Sequence, residues 1–140
     1  MGLIKQFIKS FKRYPDKIYV TVDIHGTVLK PSYHNTETYQ YYPFAKKVMQ
    51  IMSKRKDISL IMWSCSHLES LIKYNNKFIE DGIIFDHCNK NDECKNNDLS
   101  CFDLKHYTDV GLDDKFGFNP WIDWFKLYIY FNYINKGNEI

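Results

Sequence analysis

Asp23, Asp113 and Asp114 are the residues of this chain whose types and placement best fit chemistry. Asp23 closes the β-forming run of Lys17–Leu29, KIYVTVDIHGTVL, just ahead of His25-Gly26-Thr27, and Asp113-Asp114 closes Val110-Gly111-Leu112. A third apolar run, Ile58–Trp63, ends in Ser64. An apolar strand that delivers a carboxylate into a glycine-containing turn puts charged oxygen at its C-terminal edge, where open α/β sheets bind ligands. Carboxylates converging there repel one another and raise each other's pKa unless a cation lies between them. An all-oxygen site suits Mg²⁺, which takes one or two carboxylates and accepts phosphate oxygens as well. A single aspartate at a strand end is more often a turn former or helix cap. The order and placement of the whole set carry the reading.

Such a set needs a sheet to hold it. Ile58–Trp63 is unbroken and apolar between charged neighbours, the pattern of a strand buried on both faces of a parallel sheet. Shorter strands are expected at Ile83–Asp86 and Tyr107–Leu112, with 89–100 as a polar loop. Pro43 is expected as the first residue of a helix with Phe44, Val48, Ile51 and Met52 at helical spacing. Ser66-His67-Leu68-Glu69 reads as a capping box opening a helix through Leu68, Leu71, Ile72, Phe78 and Ile79 to Gly82. Asn119-Pro120 should cap a last helix with an aromatic stripe of Trp121, Trp124, Phe125, Tyr128 and Phe131. Leu3, Ile4, Phe7, Ile8 and Phe11 form the apolar stripe of an amphipathic N-terminal helix, expected to pack on the domain rather than on a membrane. Strands alternating with helices imply a three-layer, Rossmann-like α/β fold: a parallel sheet with helices on both faces. One domain spans 1–140, with the N-terminal helix in 1–14 and the core in 17–134.

Composition narrows the function classes. The 140 residues suffice for one domain and its core, and a net charge of +2 is too small to argue nucleic-acid binding from electrostatics. Cys65, Cys88, Cys94 and Cys101 occur without a signal peptide or long apolar span, which suggests the reducing cytoplasm. His87, Cys88, Cys94 and Cys101 lack the paired cysteine knuckle of a zinc site.

The motif order resembles that of the haloacid dehalogenase (HAD) superfamily of phosphohydrolases across residues 17–134. Asp23-Ile24-His25-Gly26-Thr27 matches the first motif, Asp-x-Asp-Gly-Thr, with His25 in place of the second aspartate. Ser64 matches the second motif, Lys95 the third with Lys105 as its substitute, and Asp113-Asp114 the fourth. The resemblance implies that Asp23 attacks phosphorus to form an aspartyl-phosphate. Mg²⁺ would then be held by Asp23, the backbone carbonyl of His25 and Asp113 or Asp114. Ser64 and Lys95 would grip the phosphoryl oxygens, with Ile24, Thr27, Cys65 and the helix start after Ser64 completing that set.

In the superfamily the second aspartate protonates the leaving oxygen and later activates water. Imidazole, with an ordinary pKa of about 6.5, has the chemistry for both tasks. The other reading is a HAD-like binding module that keeps the metal or phosphate pocket without turnover. Only 36 residues separate Thr27 from Ser64, too few for a large cap domain. The expected substrate is therefore a phosphorylated small molecule or nucleic-acid end reached through an open site. Tyr33, Tyr39, Tyr41 and Tyr42 are placed either to stack on bases or to pack at the edge of the fold.

Overall fold

The alternation along β1 (Ile18–Asp23) divides the molecule. Ile18, Val20 and Val22 are buried, whereas Tyr19, Thr21 and Asp23 are only partly covered. The computed structural model describes residues 2–31, 38–97, 99–101 and 105–137. Strands β2 (Ile58–Trp63), β3 (His87–Cys88) and β4 (Val110–Leu112) complete an all-parallel sheet in the order β3-β2-β1-β4. Asp23 pairs with Trp63 in register, and Thr21 with Gly111.

Helices α1 (Leu3–Arg13), α2 (Ala45–Ser53), α3 (Leu68–Glu80) and α4 (Asp123–Ile129) flank the sheet. Phe7, Val48, Met52, Phe78, Trp124 and Leu127 from these helices join Ile18, Val20, Val22, Leu60, Met62 and Leu112 in one apolar core. The opposite face meets described residues of the 89–109 segment. The Tyr107 ring stands edge-on to Tyr19 at 5.9 Å, and His106 touches both Thr21 and Trp63. The parallel α/β class stands, and the polar loop expected over 89–100 lies on this second face, where the described residues form no helix. Its sequence, rich in Asn, Asp and Lys, has no apolar stripe at helical spacing to bury.

Both edge strands begin later than expected, β3 beyond the anticipated Ile83–Asp86 altogether and β4 within Tyr107–Leu112, for one shared reason. At the start of β3, Asp86 donates its N–H to the Leu60 carbonyl (2.9 Å) and accepts the Leu60 N–H on its carboxylate (3.1 Å). At the start of β4, Asp109 does the same with Tyr19 (2.8 Å and 2.8 Å). A side-chain oxygen thus replaces the first carbonyl of the ladder. Regular pairing begins at His87 rather than Ile83, and at Val110 rather than Tyr107.

Helix starts also differ from expectation. Pro43 and Phe44 form a turn closed by the Ala45 N–H on the Tyr42 carbonyl (3.1 Å), with Phe44 at φ +67°, so α2 opens two residues later than the proline suggested. This is a type II turn with proline at its favoured second position. The capping box does not form, because Ser66 is engaged with Ser64 and α3 opens after His67 without a side-chain cap. Along α3, Tyr74 and Phe78 face the core while Leu68, Ile72 and Ile79 are exposed. Asn119 does bond the Trp121 N–H (3.1 Å), although the helix proper begins at Asp123. The N-terminal helix packs on the domain through Phe7, whose ring meets Phe131 at 5.4 Å. Among the described residues, no helix is long and apolar enough to cross a membrane.

Candidate active site

The order of strands reverses between β1 and β4, since the chain leaves β1 for β2 on one side and later returns to β4 on the other. At such a switch point the connections part and leave a crevice at the carboxyl ends of the strands. Asp23 ends β1 there, Asp113 follows β4, and Asp114 opens a 3₁₀ turn over Asp114–Phe116. One carboxylate oxygen from each of the three lies within 4.8 Å of the others.

The turn after β1 brings them together. The Ile24 carbonyl accepts the N–H groups of Val28 (3.0 Å) and Leu29 (2.9 Å), folding 24–29 back on itself. Gly26 sits at φ +84°, and a Cβ there would lie 2.9 Å from Asp114 Oδ2. Glycine is required both for the left-handed backbone and for the approach of Asp114. Thr27 is fully buried, its Oγ1 3.0 Å from Asp23 Oδ2 and 3.2 Å from Asp114 Oδ1 while accepting the Asp114 N–H at 3.0 Å. Trp124 of α4 fixes the threonine by donating its indole N–H to the Thr27 carbonyl (2.7 Å).

One hydroxyl proton cannot satisfy two carboxylates at once. Burial and the neighbouring Asp113 push the Asp23 pKa up to about 7, with the Thr27 hydrogen bond opposing them. A cation among the three would remove that penalty by favouring the charged carboxylates. The donor set, oxygen throughout, fits Mg²⁺.

Beside Asp23 and Asp113, a cavity of about 780 Å³ opens on the sheet face of Thr21 and Trp63. Lys95 and Lys105 both line it, so the two lysines named as alternatives reach one space. Trp63, His106 and Phe116 line it as well, with Phe116 highly exposed. A chain of hydroxyls orients His106. Thr108 Oγ1 bonds the Val110 carbonyl (3.1 Å), Thr21 Oγ1 donates to Thr108 Oγ1 (2.9 Å), and His106 Nε2 lies 3.1 Å from Thr21 Oγ1. Carbonyls only accept, so the arrangement that satisfies every bond puts the proton on Nε2. Burial lowers the His106 pKa and favours the neutral ring.

Asp23, Thr27, Asp113 and Asp114 are therefore brought into one cluster, with Lys95 facing the adjoining cavity. Ser64 follows β2, but its hydroxyl bonds Ser66 Oγ (3.1 Å), and Asn89 clasps its backbone N–H and carbonyl (both 2.9 Å). Cys65 is exposed, and Ile24 is buried beneath the turn. The His25 ring leans on Tyr74 at 4.9 Å, and burial lowers its pKa. The helix start expected near Ser64 lies further on, at Leu68.

The edge tyrosines are largely packing groups. Tyr41 donates to Asp81 (2.7 Å), and Tyr42 meets Trp121 edge-on at 5.0 Å. Tyr39 leans on Tyr74 at 5.6 Å and is 40% exposed, while Tyr33 lies outside the described residues. His87 bonds Glu93 (2.7 Å), and the described residues bring no cysteine into a metal-binding group.

Trp63, Thr21 and His106 escaped the sequence reading. Thr21 and Trp63 carried a signal nonetheless, since one lies two residues before Asp23 and the other closes the neighbouring apolar run. His106 offered none.

No family model matches the chain, and no curated protein matches it. Among solved structures, a conserved protein from Bacteroides thetaiotaomicron is similar at 24% identity, over 81% of this chain and 88% of that one, with a TM-score of 0.63. A likeness at that identity shows the fold alone.

Proposed function

We propose that this chain is a Mg²⁺-dependent phosphohydrolase acting through an aspartyl-phosphate on Asp23. The observation that supports this best is the convergence of Asp23, Asp113 and Asp114 at the switch point, beside a cavity lined by Lys95 and Lys105. The HAD-like order of motifs agrees with it. An Asp23 oxygen attacks phosphorus, the ester bond breaks, and the leaving oxygen takes a proton from His25. Water then attacks the phosphorus of the aspartyl-phosphate while His25 accepts its proton, releasing phosphate and restoring Asp23. Bound Mg²⁺ would supply charge neutralisation between nucleophile and phosphoryl group. Asp23, the His25 carbonyl and Asp113 or Asp114 would hold it.

The Lys95 or Lys105 ammonium and a rotated Ser64 hydroxyl stabilise the phosphoryl oxygens as charge develops. Thr27 holds the two carboxylates in place. The substrate is a phosphorylated small molecule or nucleic-acid end, and four free cysteines suit a cytoplasmic protein.

A second reading, a binding module that keeps the pocket without turnover, is favoured by one observation. The His25 ring is packed on Tyr74 where the superfamily has a carboxylic acid. Hydrolysis of p-nitrophenyl phosphate with and without Mg²⁺ separates the two. The enzyme reading expects Mg²⁺-dependent release of phosphate that falls when Asp113 and Asp114 are both changed to Asn; Mg²⁺ binding with no release favours the module.

A further inference from the structure

We propose that the cavity beside Asp23 holds a planar aromatic ring of the substrate, a nucleobase or aryl group, stacked on Trp63 while its phosphate reaches the carboxylate cluster. This inference rests on the phosphohydrolase reading and names the substrate class of that site. At about 780 Å³, the cavity is far larger than a phosphoryl group needs. Its position ties it to the chemistry, because Trp63 is the register partner of Asp23 on the adjacent strand and both line the cavity.

Trp63 is 40% exposed although it ends a strand whose other five residues are buried. One side of its indole is held by the His106 ring, 5.1 Å away and inclined at 44°. His106 is in turn fixed by Thr21 and Thr108, so the platform is set before any ligand arrives. A rigid aromatic surface loses little conformational entropy on stacking, which favours binding. Lys95 and Lys105 line the same cavity and make no ion pair with a carboxylate of the described residues. They supply positive charge for a phosphate drawn between the platform and the cluster. A phosphosugar or phosphoserine would leave the indole face unused; a nucleoside or aryl phosphate would cover it.

The test uses phosphonates, whose carbon–phosphorus bond in place of the ester prevents turnover. Binding to the parent chain in Mg²⁺ is measured by calorimetry for ethylphosphonate, phenylphosphonate and the methylenephosphonate analogue of a nucleoside 5′-monophosphate. The aromatic ligands should bind roughly tenfold more tightly than ethylphosphonate, the scale of one base stacked on an aromatic side chain. Trp63→Leu should remove that advantage and leave ethylphosphonate within twofold, while Trp63→Phe keeps most of it. A further gain of the nucleoside analogue over phenylphosphonate identifies a nucleobase, and equal affinities identify a general aryl group.

Ethylphosphonate binding that the rings do not improve overturns the aromatic site and leaves the phosphohydrolase reading standing. The same holds if Trp63→Leu weakens all three ligands alike. If free nucleoside binds through Trp63 while the phosphonate group adds nothing, the aromatic site stands and the phosphohydrolase reading fails.

Discussion

On one face of β1, Ile18, Val20 and Val22 are sealed under the helices; on the other, Tyr19 and Thr21 meet Tyr107, Asp109 and His106, and Asp23 lines the cavity beside them. The helical face is held by area, with Phe7, Met52, Phe78, Trp124 and Leu127 fully buried. The other is held by individual bonds such as Tyr107 to Asp109 (2.6 Å), Asn91 to the Tyr107 carbonyl (3.1 Å) and Lys17 to Glu93 (2.9 Å). Apolar burial is non-directional and admits a polar group only with its bonds made, as for Arg55 on Asp57 and Asn135, while bonded polar chain can border a cavity and still satisfy its own groups. The two-residue period of a strand lets one sequence serve both ends, packing with Ile18, Val20 and Val22 and presenting chemistry with Thr21 and Asp23. Thr27 and Trp124 join the two sides, because an indole buried in the helical layer holds the threonine that touches Asp23 and Asp114.

The contrast can be broken first on the helical side. Phe7 is the fully buried residue of α1, so Phe7→Ala should cost about 3–5 kcal/mol of unfolding free energy, read from urea denaturation. A loss below about 1 kcal/mol would mean that α1 contributes little to the core. A smaller effect is expected at His25. His25→Ala should slow ester hydrolysis about a hundredfold, near 2.7 kcal/mol in activation free energy, with folding retained. His25→Asp, which places a carboxylic acid where the proton transfer is proposed, should recover turnover. An unchanged rate for His25→Ala would remove the imidazole from proton transfer.

The smallest expected effect lies at the rim of the helical layer. Burial raises the Asp81 pKa, but the Tyr41 hydroxyl (2.7 Å), Lys46 (3.6 Å) and Lys77 (3.5 Å) outweigh it and hold the pKa below the usual carboxylate range. A carboxylate so depressed stabilises the fold above its unfolded pKa of about 3.9, and that contribution fades as pH falls through the folded value. Asp81→Asn should therefore lower stability at pH 7 by about 1 kcal/mol, since its lysine partners are partly solvated, and the gap to the parent should close in acid. Equal stabilities at pH 7 would leave the cluster without a net contribution.

The strands that carry Asp23 and Ser64 were legible because apolar runs of that length between charged neighbours have few other uses. The carboxylate cluster was legible from the order of its motifs. The starts of the edge strands were not, because Asp86 and Asp109 substitute side-chain oxygens for backbone ones, and a sequence pattern does not distinguish a strand residue from an aspartate mimicking one. The polar loop of the second face was legible from its scattered polar groups, but not what it contacts. Its cavity depends on contacts between residues far apart in the chain, such as Thr21 with His106, for which local periodicity carries no information.

Nucleophilic attack by Asp23 is the central claim, and its covalent product can be sought directly. The parent chain turning over p-nitrophenyl phosphate in Mg²⁺ would be quenched in acid, digested and sequenced by mass spectrometry, with Asp23→Asn treated in parallel. A phosphoryl group on Asp23 of the parent, and neither adduct nor hydrolysis in the folded Asp23→Asn protein, is the predicted result. A phosphoryl group on any other residue, or undiminished hydrolysis by Asp23→Asn, would contradict it.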